Sequence, residues 1–404
     1  MSDGRADHPI GGSSPLRGPW GYPLLVGVAL LSYGYSLPWR VGLAPAGMVD
    51  HSTCVLYVAN IVLFSGAGAG ALMISALADV LNTPASRSVT RIAELSAIGC
   101  LVATLFFIMI DGAWLGHWRH LAQNGQLTLP PVQDLMIIVL YLGNAVALAY
   151  FASAVTLIRS LRKTSSWEIL HSVLVLAPNI FAGAWWRLRK DLLAILAAAA
   201  MLLYSTTAWI VGLLDTQSGW QTISIAALQY CSSLVVGLAM VVMAGSFSSA
   251  LLLSPIERNL LRRLGDILAV LLPLLGYCLW AEMRAVMLEQ EPLGSHLAQE
   301  MVLGPYAPLF WFALVGGVLV PFVLLIFHRT ATPVEIGFAA LLVVSGGLVE
   351  RWNVVILPLL GHAHAFYTAA GYVPTSLEVP MTLAVYAITI LVYGVAAALD
   401  RRTL

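Results

Sequence analysis

Ten stretches of this chain run apolar for about the 20 residues that carry a helix across a bilayer. They fall at 20–37, 53–81, 92–113, 132–158, 191–214, 223–252, 265–288, 305–328, 334–358 and 376–399. Inside lipid every backbone N–H and C=O must be satisfied within the protein, so only helices or closed barrels can span it. The apolar residues come in continuous blocks, without the two-residue alternation of a barrel strand, and the expectation is an all-α fold. The chain reads as a polytopic integral membrane protein of about ten transmembrane helices.

Composition narrows the function. Apolar residues make up 59% of the 404 and charged residues 10%, against about 25% charged in a soluble domain. Too few polar groups remain to coat a soluble enzyme. Lys+Arg and Asp+Glu balance at 20 each, so no net field favours nucleic acid. Residues 1–19 (containing GGSSPLRGP) read as a flexible tail without a cleavage site, and 20–404 as one transmembrane domain.

Lys and Arg mark the cytoplasmic side of a membrane protein. With the N-terminus inside, sixteen basic residues lie on the inner side and only Arg40 and Arg119 on the outer side. Both termini are then cytoplasmic, in the inner membrane of a bacterium or archaeon. Residues 165–186 could pass as another span. They hold Glu168, His171, Pro178 and Asn179 between two basic clusters, and read better as an amphipathic segment on the inner surface.

Ionisable residues within spans are costly and are functional candidates by default. Asp111 closes the third block at its outer end and Asp134 opens the fourth. Glu282 and Arg284 lie in the outer half of the seventh, and Glu350 and Arg351 in that of the ninth. Interhelical ion pairing is the structural reading for Glu282 and Arg284 with Glu350 and Arg351. His117, Arg119, His362 and His364 fall on outer loops. A thinner inner series comprises Glu94, Asp79, Asp266 and Glu335; with Glu282 it outlines a proton route.

No histidine lies in the middle of a span, and Cys54, Cys100, Cys231 and Cys278 show no C-x-x-C spacing. Haem and iron–sulfur clusters are therefore not expected in this chain, and the cysteines read as small buried hydrophobes. Gly66, Gly68 and Gly70 in the second block, and Gly237, Ala239, Ala244 and Gly245 in the sixth, are read as helix-packing positions. They hint at two four-helix bundles, blocks 2–5 and 6–9, plus flanking helices.

Several stretches together are specific. They are LYVANIVLFSGAGAGALMISAL (56–77), TRIAEL (90–95), GPYAPLFW (304–311), ERWNVVI (350–356) and YVPTSLE (372–378). In this order, over roughly 50–400, the chain resembles the NrfD/PsrC-like membrane subunits of quinone-linked oxidoreductases. It is most similar to the ten-helix branch of alternative complex III, DsrP, HmeB and QrcD subunits. The resemblance implies a cofactor-free subunit of a respiratory complex. Its substrate would be menaquinone or ubiquinone, exchanging electrons with a ferredoxin-like iron–sulfur partner on the outer face.

The same resemblance places a protonatable residue at Asp111 and an acid at Asp134 in the quinol pocket, with His117 and Arg119 as further candidates. The chain departs from the alternative complex III pattern His-Leu-Gly-Arg-Pro, reading Asp111-Gly112-Ala113-Trp114 instead. It reads Tyr204-Ser205-Thr206-Thr207 where some relatives carry a histidine. Quinol oxidation releases protons, so each hydroxyl needs a base within hydrogen-bond reach. Two other readings stay open: a secondary transporter with Pro-broken helices at Pro273, Pro321 and Pro358, and a membrane anchor that has lost quinone binding.

Overall fold

A computed structural model describes residues 55–81, 84–110, 223–250, 258–288, 299, 301–304, 306–327, 332–363 and 378–403. The long helices among them are α1 (Val55–Leu81), α2 (Pro84–Ile110), α3 (Ile223–Ala250), α4 (Arg258–Leu288), α5 (Ala307–Phe327), α6 (Pro333–Ala363) and α7 (Glu378–Thr403). Six of them, α1 to α6, are long and apolar enough to cross a membrane, and α7 contributes a shorter apolar stretch, Glu378–Gly394. The protein is a multi-pass helical membrane protein.

Small residues set the packing. Gly70 of α1 lies against Ser233 and Gly237 of α3. A Cβ built on Gly237 would sit 2.7 Å from the Gly70 carbonyl carbon and 2.8 Å from the Ala71 nitrogen. Backbone cannot yield as a side chain can, so both positions need glycine. The sequence reading singled out these two glycines separately, and the fold sets them against each other. α5 and α6 repeat the device: a Cβ on Gly317 would meet the Gly346 Cα at 2.6 Å. Without a hydrophobic force between helices in lipid, such close backbone approach is what association rests on.

The helices differ from the apolar blocks at their ends. α2 begins at Pro84, ahead of the block read from 92, because its first turns are polar (SRSVTR) and a hydropathy reading starts only where the apolar run does. Proline suits a first helical position, where the missing N–H has no partner anyway. α4 likewise begins at Arg258. α6 runs to Ala363, so His362, read as a loop residue, stands in the last turn of the helix. The start of α6 is a reciprocal cap. The Glu335 N–H donates to Thr332 Oγ1 at 3.3 Å, and the Thr332 N–H donates to Glu335 Oε2 at 3.0 Å. Glu335 is thus a capping residue.

α5 is not uniform. Its middle, Phe312–Leu319, is a π-helix between two α-helical pieces. The wider turn falls at Gly316 and Gly317, where α5 crosses Gly346. Its first turn is tied down by Trp311, whose Nε1 donates to the Val302 carbonyl at 3.2 Å.

Candidate functional site: a buried polar cluster between α3, α4, α5 and α6

The largest buried charge among the described residues sits on α6. Arg351 is 0% exposed and Glu350 5%. Neighbours in sequence do not normally face each other on a helix, yet Arg351 Nη1 reaches Glu350 Oε2 at 2.8 Å. Both side chains turn towards Ser232 of α3, which lies between them. Ser232 Oγ donates to Glu350 Oε2 at 2.7 Å, and Arg351 Nη1 donates to Ser232 Oγ at 3.0 Å. Gln229, one turn earlier on α3, donates through Nε2 to Glu350 Oε1 at 3.2 Å. Arg351 Nη1 also reaches its own helix at the Gly347 carbonyl, 3.0 Å away. Gly347 leaves room for this: a Cβ there would lie 2.6 Å from Val236 Cγ2 and 3.4 Å from the guanidinium.

A buried ion pair recovers its desolvation cost only when further hydrogen bonds fill the remaining sites. Both Glu350 oxygens accept here, so that condition is met on the carboxylate side. The pair is then close to neutral and its geometry fixed.

Beside it opens a small cleft. Glu282 of α4, 5% exposed, and Asn353 of α6, 3% exposed, line it together with Glu350. Leu279, Met283, Met301 and Phe310 form apolar walls. The Asn353 Oδ1 is buried and accepts no hydrogen bond from the protein. The space is about 30 Å³, room for a water molecule and too little for an aromatic ring without side-chain movement. Chemically the cleft offers acceptors (two carboxylates and an amide oxygen) inside an apolar wall.

A second cluster joins α1, α2 and α7 and is mainly aromatic. Tyr386 Oη donates to Asn60 Oδ1 at 2.5 Å, and Asn60 Nδ2 donates to the Leu56 carbonyl at 2.7 Å. Tyr57 Oη donates to Met381 Sδ at 3.3 Å. Phe64 and Phe107 stack with centroids 6.0 Å apart, and Tyr386 meets Phe64 edge-on at 5.5 Å. Chain direction puts this cluster and the Glu350 cluster at the same end of the bundle, where α2 ends and α3 and α7 begin.

The sequence candidates distribute as follows. Glu282, Glu350 and Arg351 are brought to one region. Arg284 is exposed and takes no part: two residues beyond Glu282, it projects from nearly the opposite side of α4. Glu94 is 2% exposed on α2, towards the other end of the bundle. Asp266 is exposed on α4, and Asp79 stands in the last turn of α1. Asp111, Asp134, Arg119, His117 and His364 lie outside the described residues, as do the blocks at 20–37, 132–158 and 191–214 and the segment 165–186. Gln229, Ser232 and Asn353 were missed by sequence reading. Gln229 and Ser232 are one turn apart in an otherwise apolar helix, and Glu350 and Asn353 repeat that spacing. Polar pairs at i and i+3 within a span were the available signal.

A polytopic bundle with ionisable side chains buried at one end defines a membrane protein built to handle charge or protons within the bilayer. The family model for polysulphide reductase NrfD matches residues 49–360, and the chain belongs to that family. It is also similar to a protein of Halobacterium salinarum described as a putative membrane component of dimethyl sulfoxide reductase. The identity is 24% over 396 residues, covering 91% of this chain and 87% of that one.

Proposed function

We propose that this chain is the quinone-exchanging membrane subunit of a respiratory oxidoreductase. It would bind quinone or quinol near the outer face and pass electrons to or from an iron–sulfur partner subunit of a larger complex. The observation that carries this reading is membership of the NrfD family across residues 49–360. The relative described as a membrane component of a dimethyl sulfoxide reductase supports it, since that description places such a chain beside other redox subunits. The reaction is redox at the ring and acid–base at the hydroxyls: two electrons leave quinol and two protons go to bases in the wall. Asp111 and Asp134 are the proposed bases, with His117 and Arg119 beside them. A carboxylate in an apolar wall has a raised proton affinity and can take such a proton.

The test is quinol turnover by the intact complex. Asp111→Asn and Asp134→Asn should each lower it by about a hundredfold or more. Unchanged turnover in both would remove these residues from the role.

Proton transfer across the membrane is the accompanying proposal, and the deep burial of Glu94 favours it. Holding a carboxyl group away from water is costly unless the group is paired or used. Glu94, Asp79, Asp266 and Glu282 are the proposed stations. Glu94→Gln should leave quinol turnover measurable in detergent while abolishing acidification by the complex in sealed vesicles. Equal acidification in the variant would remove Glu94 from the route.

A further inference from the structure

A groove on the outside of the bundle is independent of the redox reading. It runs between α4, α5 and α6 and has a volume of about 640 Å³. Val270 and Pro273 of α4, Phe322, Leu325 and Ile326 of α5, and Ile336 of α6 give it an apolar lining. Arg262 and Asp266 stand at its mouth, one turn apart on α4, and both are exposed. Arg263, also exposed, is next to them, and Arg258 begins the helix. The first turns of α4 therefore carry three arginines and one aspartate.

The length of the groove decides what fits it. From Arg262 to Pro273 is about 16 Å along a helix rising about 1.5 Å per residue. The hydrocarbon core of a bilayer is about 30 Å thick. The groove thus runs from the basic edge of the bundle to about the middle of the membrane. A transmembrane helix of a partner would need a surface spanning the full thickness. A lipid chain anchored in one leaflet needs only half.

Local sequence makes the shape. Gly265 has no side chain, and a Cβ there would come within 3.5 Å of Leu325 and Ile336. Beyond it α5 diverges from α4 down to the proline at 273.

We propose that this groove is a specific site for one anionic phospholipid. Its phosphate lies against Arg262 at the membrane surface, and one hydrocarbon chain lies along Val270, Phe322 and Ile326. The net positive charge of the first turns of α4 selects an anionic headgroup over a zwitterionic one. Asp266, one turn deeper, reinforces that choice only towards headgroups whose negative charge stays at the surface beside the arginines.

The test uses the delipidated full-length chain in detergent, with phosphatidylglycerol added and retained lipid counted by native mass spectrometry. Phosphatidylethanolamine is the zwitterionic comparator. One phosphatidylglycerol per chain should be retained in preference to phosphatidylethanolamine. Arg262→Ala should weaken it about fivefold. Val270→Trp, an exposed position where a larger ring fills the groove without entering the core, should remove it while the charge remains. Size-exclusion profiles matching the wild type confirm that both variants fold. Retention equal to wild type in both variants would overturn the site. Equal retention of the two lipids, unaffected by Arg262→Ala, would overturn the headgroup selection. A photo-crosslinker at position 270 that captures a partner subunit in the intact complex would show that protein covers the groove, and would overturn the lipid.

Discussion

The two glycine crossings of this bundle resemble each other in backbone and differ in what surrounds them. Where α1 meets α3 at Gly70 and Gly237, most of both helices is buried: 67% of the α1 apolar window and 72% of that of α3. Where α5 meets α6 at Gly317 and Gly346, only 22% of the α5 window is buried. Around the first crossing the polar side chains are satisfied within their own helices. Ser233 donates to the Gln229 carbonyl at 2.6 Å and Thr104 to that of Cys100 at 3.0 Å. Around α6 the polar side chains pair between helices, through Gln229, Ser232, Glu350 and Arg351. The first region is held by close packing alone. The second side holds charge, and its outer helix α5 faces lipid with Trp311, Leu319, Val323 and Phe327 exposed.

The comparison breaks most sharply at Arg351. Arg351→Met leaves the Glu350 carboxylate buried without its cation, which should cost about 3–5 kcal/mol. Glu350→Gln combined with Arg351→Met removes both charges and should recover most of that. Reversible unfolding in mixed detergent micelles measures the cycle. A double variant as unstable as the single one would mean that the pair stabilises by more than cancelling its own charges.

The packed region should respond to volume instead. Gly237→Val forces a side chain into the Gly70 backbone and should cost about 3 kcal/mol, read by the same unfolding measurement. Gly237→Ala should already destabilise, since its Cβ meets backbone atoms. A neutral alanine variant would show that α1 and α3 can separate without loss.

A smaller effect is expected at the aromatic cluster. Tyr386→Phe removes the hydrogen bond to Asn60 and keeps the ring against Phe64 and Phe107. A loss of about 1 kcal/mol is expected. A loss as large as that of Arg351→Met would make this cluster a polar keystone like the one on α6.

These differences also mark how far the sequence could be read. The spans were legible because lipid demands continuous apolar runs, and the glycines of α1 and α3 were legible as packing positions. The pairing of Gly317 with Gly346 was not, since contact between distant residues has no local signature. The π-helical turn of Phe312–Leu319 has the same apolar composition as an α-helix, so nothing in the run of residues distinguishes it. The candidate site was legible only in part. Glu282, Glu350 and Arg351 stood out as charges in apolar runs, whereas uncharged Gln229, Ser232 and Asn353 did not. Pairing of Arg351 with Glu350 on one helix was hidden for a geometric reason: adjacent residues point about 100° apart, and only the serine on α3 draws them together.

The smallest expected effect sharpens that last point. Glu282 and Arg284 are equally conspicuous in the sequence, two residues apart in one span. In the structure the first is buried beside the Glu350 cluster and the second is exposed. Arg284→Ala should therefore change stability by less than about 0.5 kcal/mol. Glu282→Ala should cost more, because it empties part of the cleft wall and takes an acceptor from it. Measured side by side, the two variants separate a charge used by the interior from one tolerated at its surface. Equal losses would mean that Arg284 has a partner on another subunit, and that the boundary of the charged region lies outside this chain.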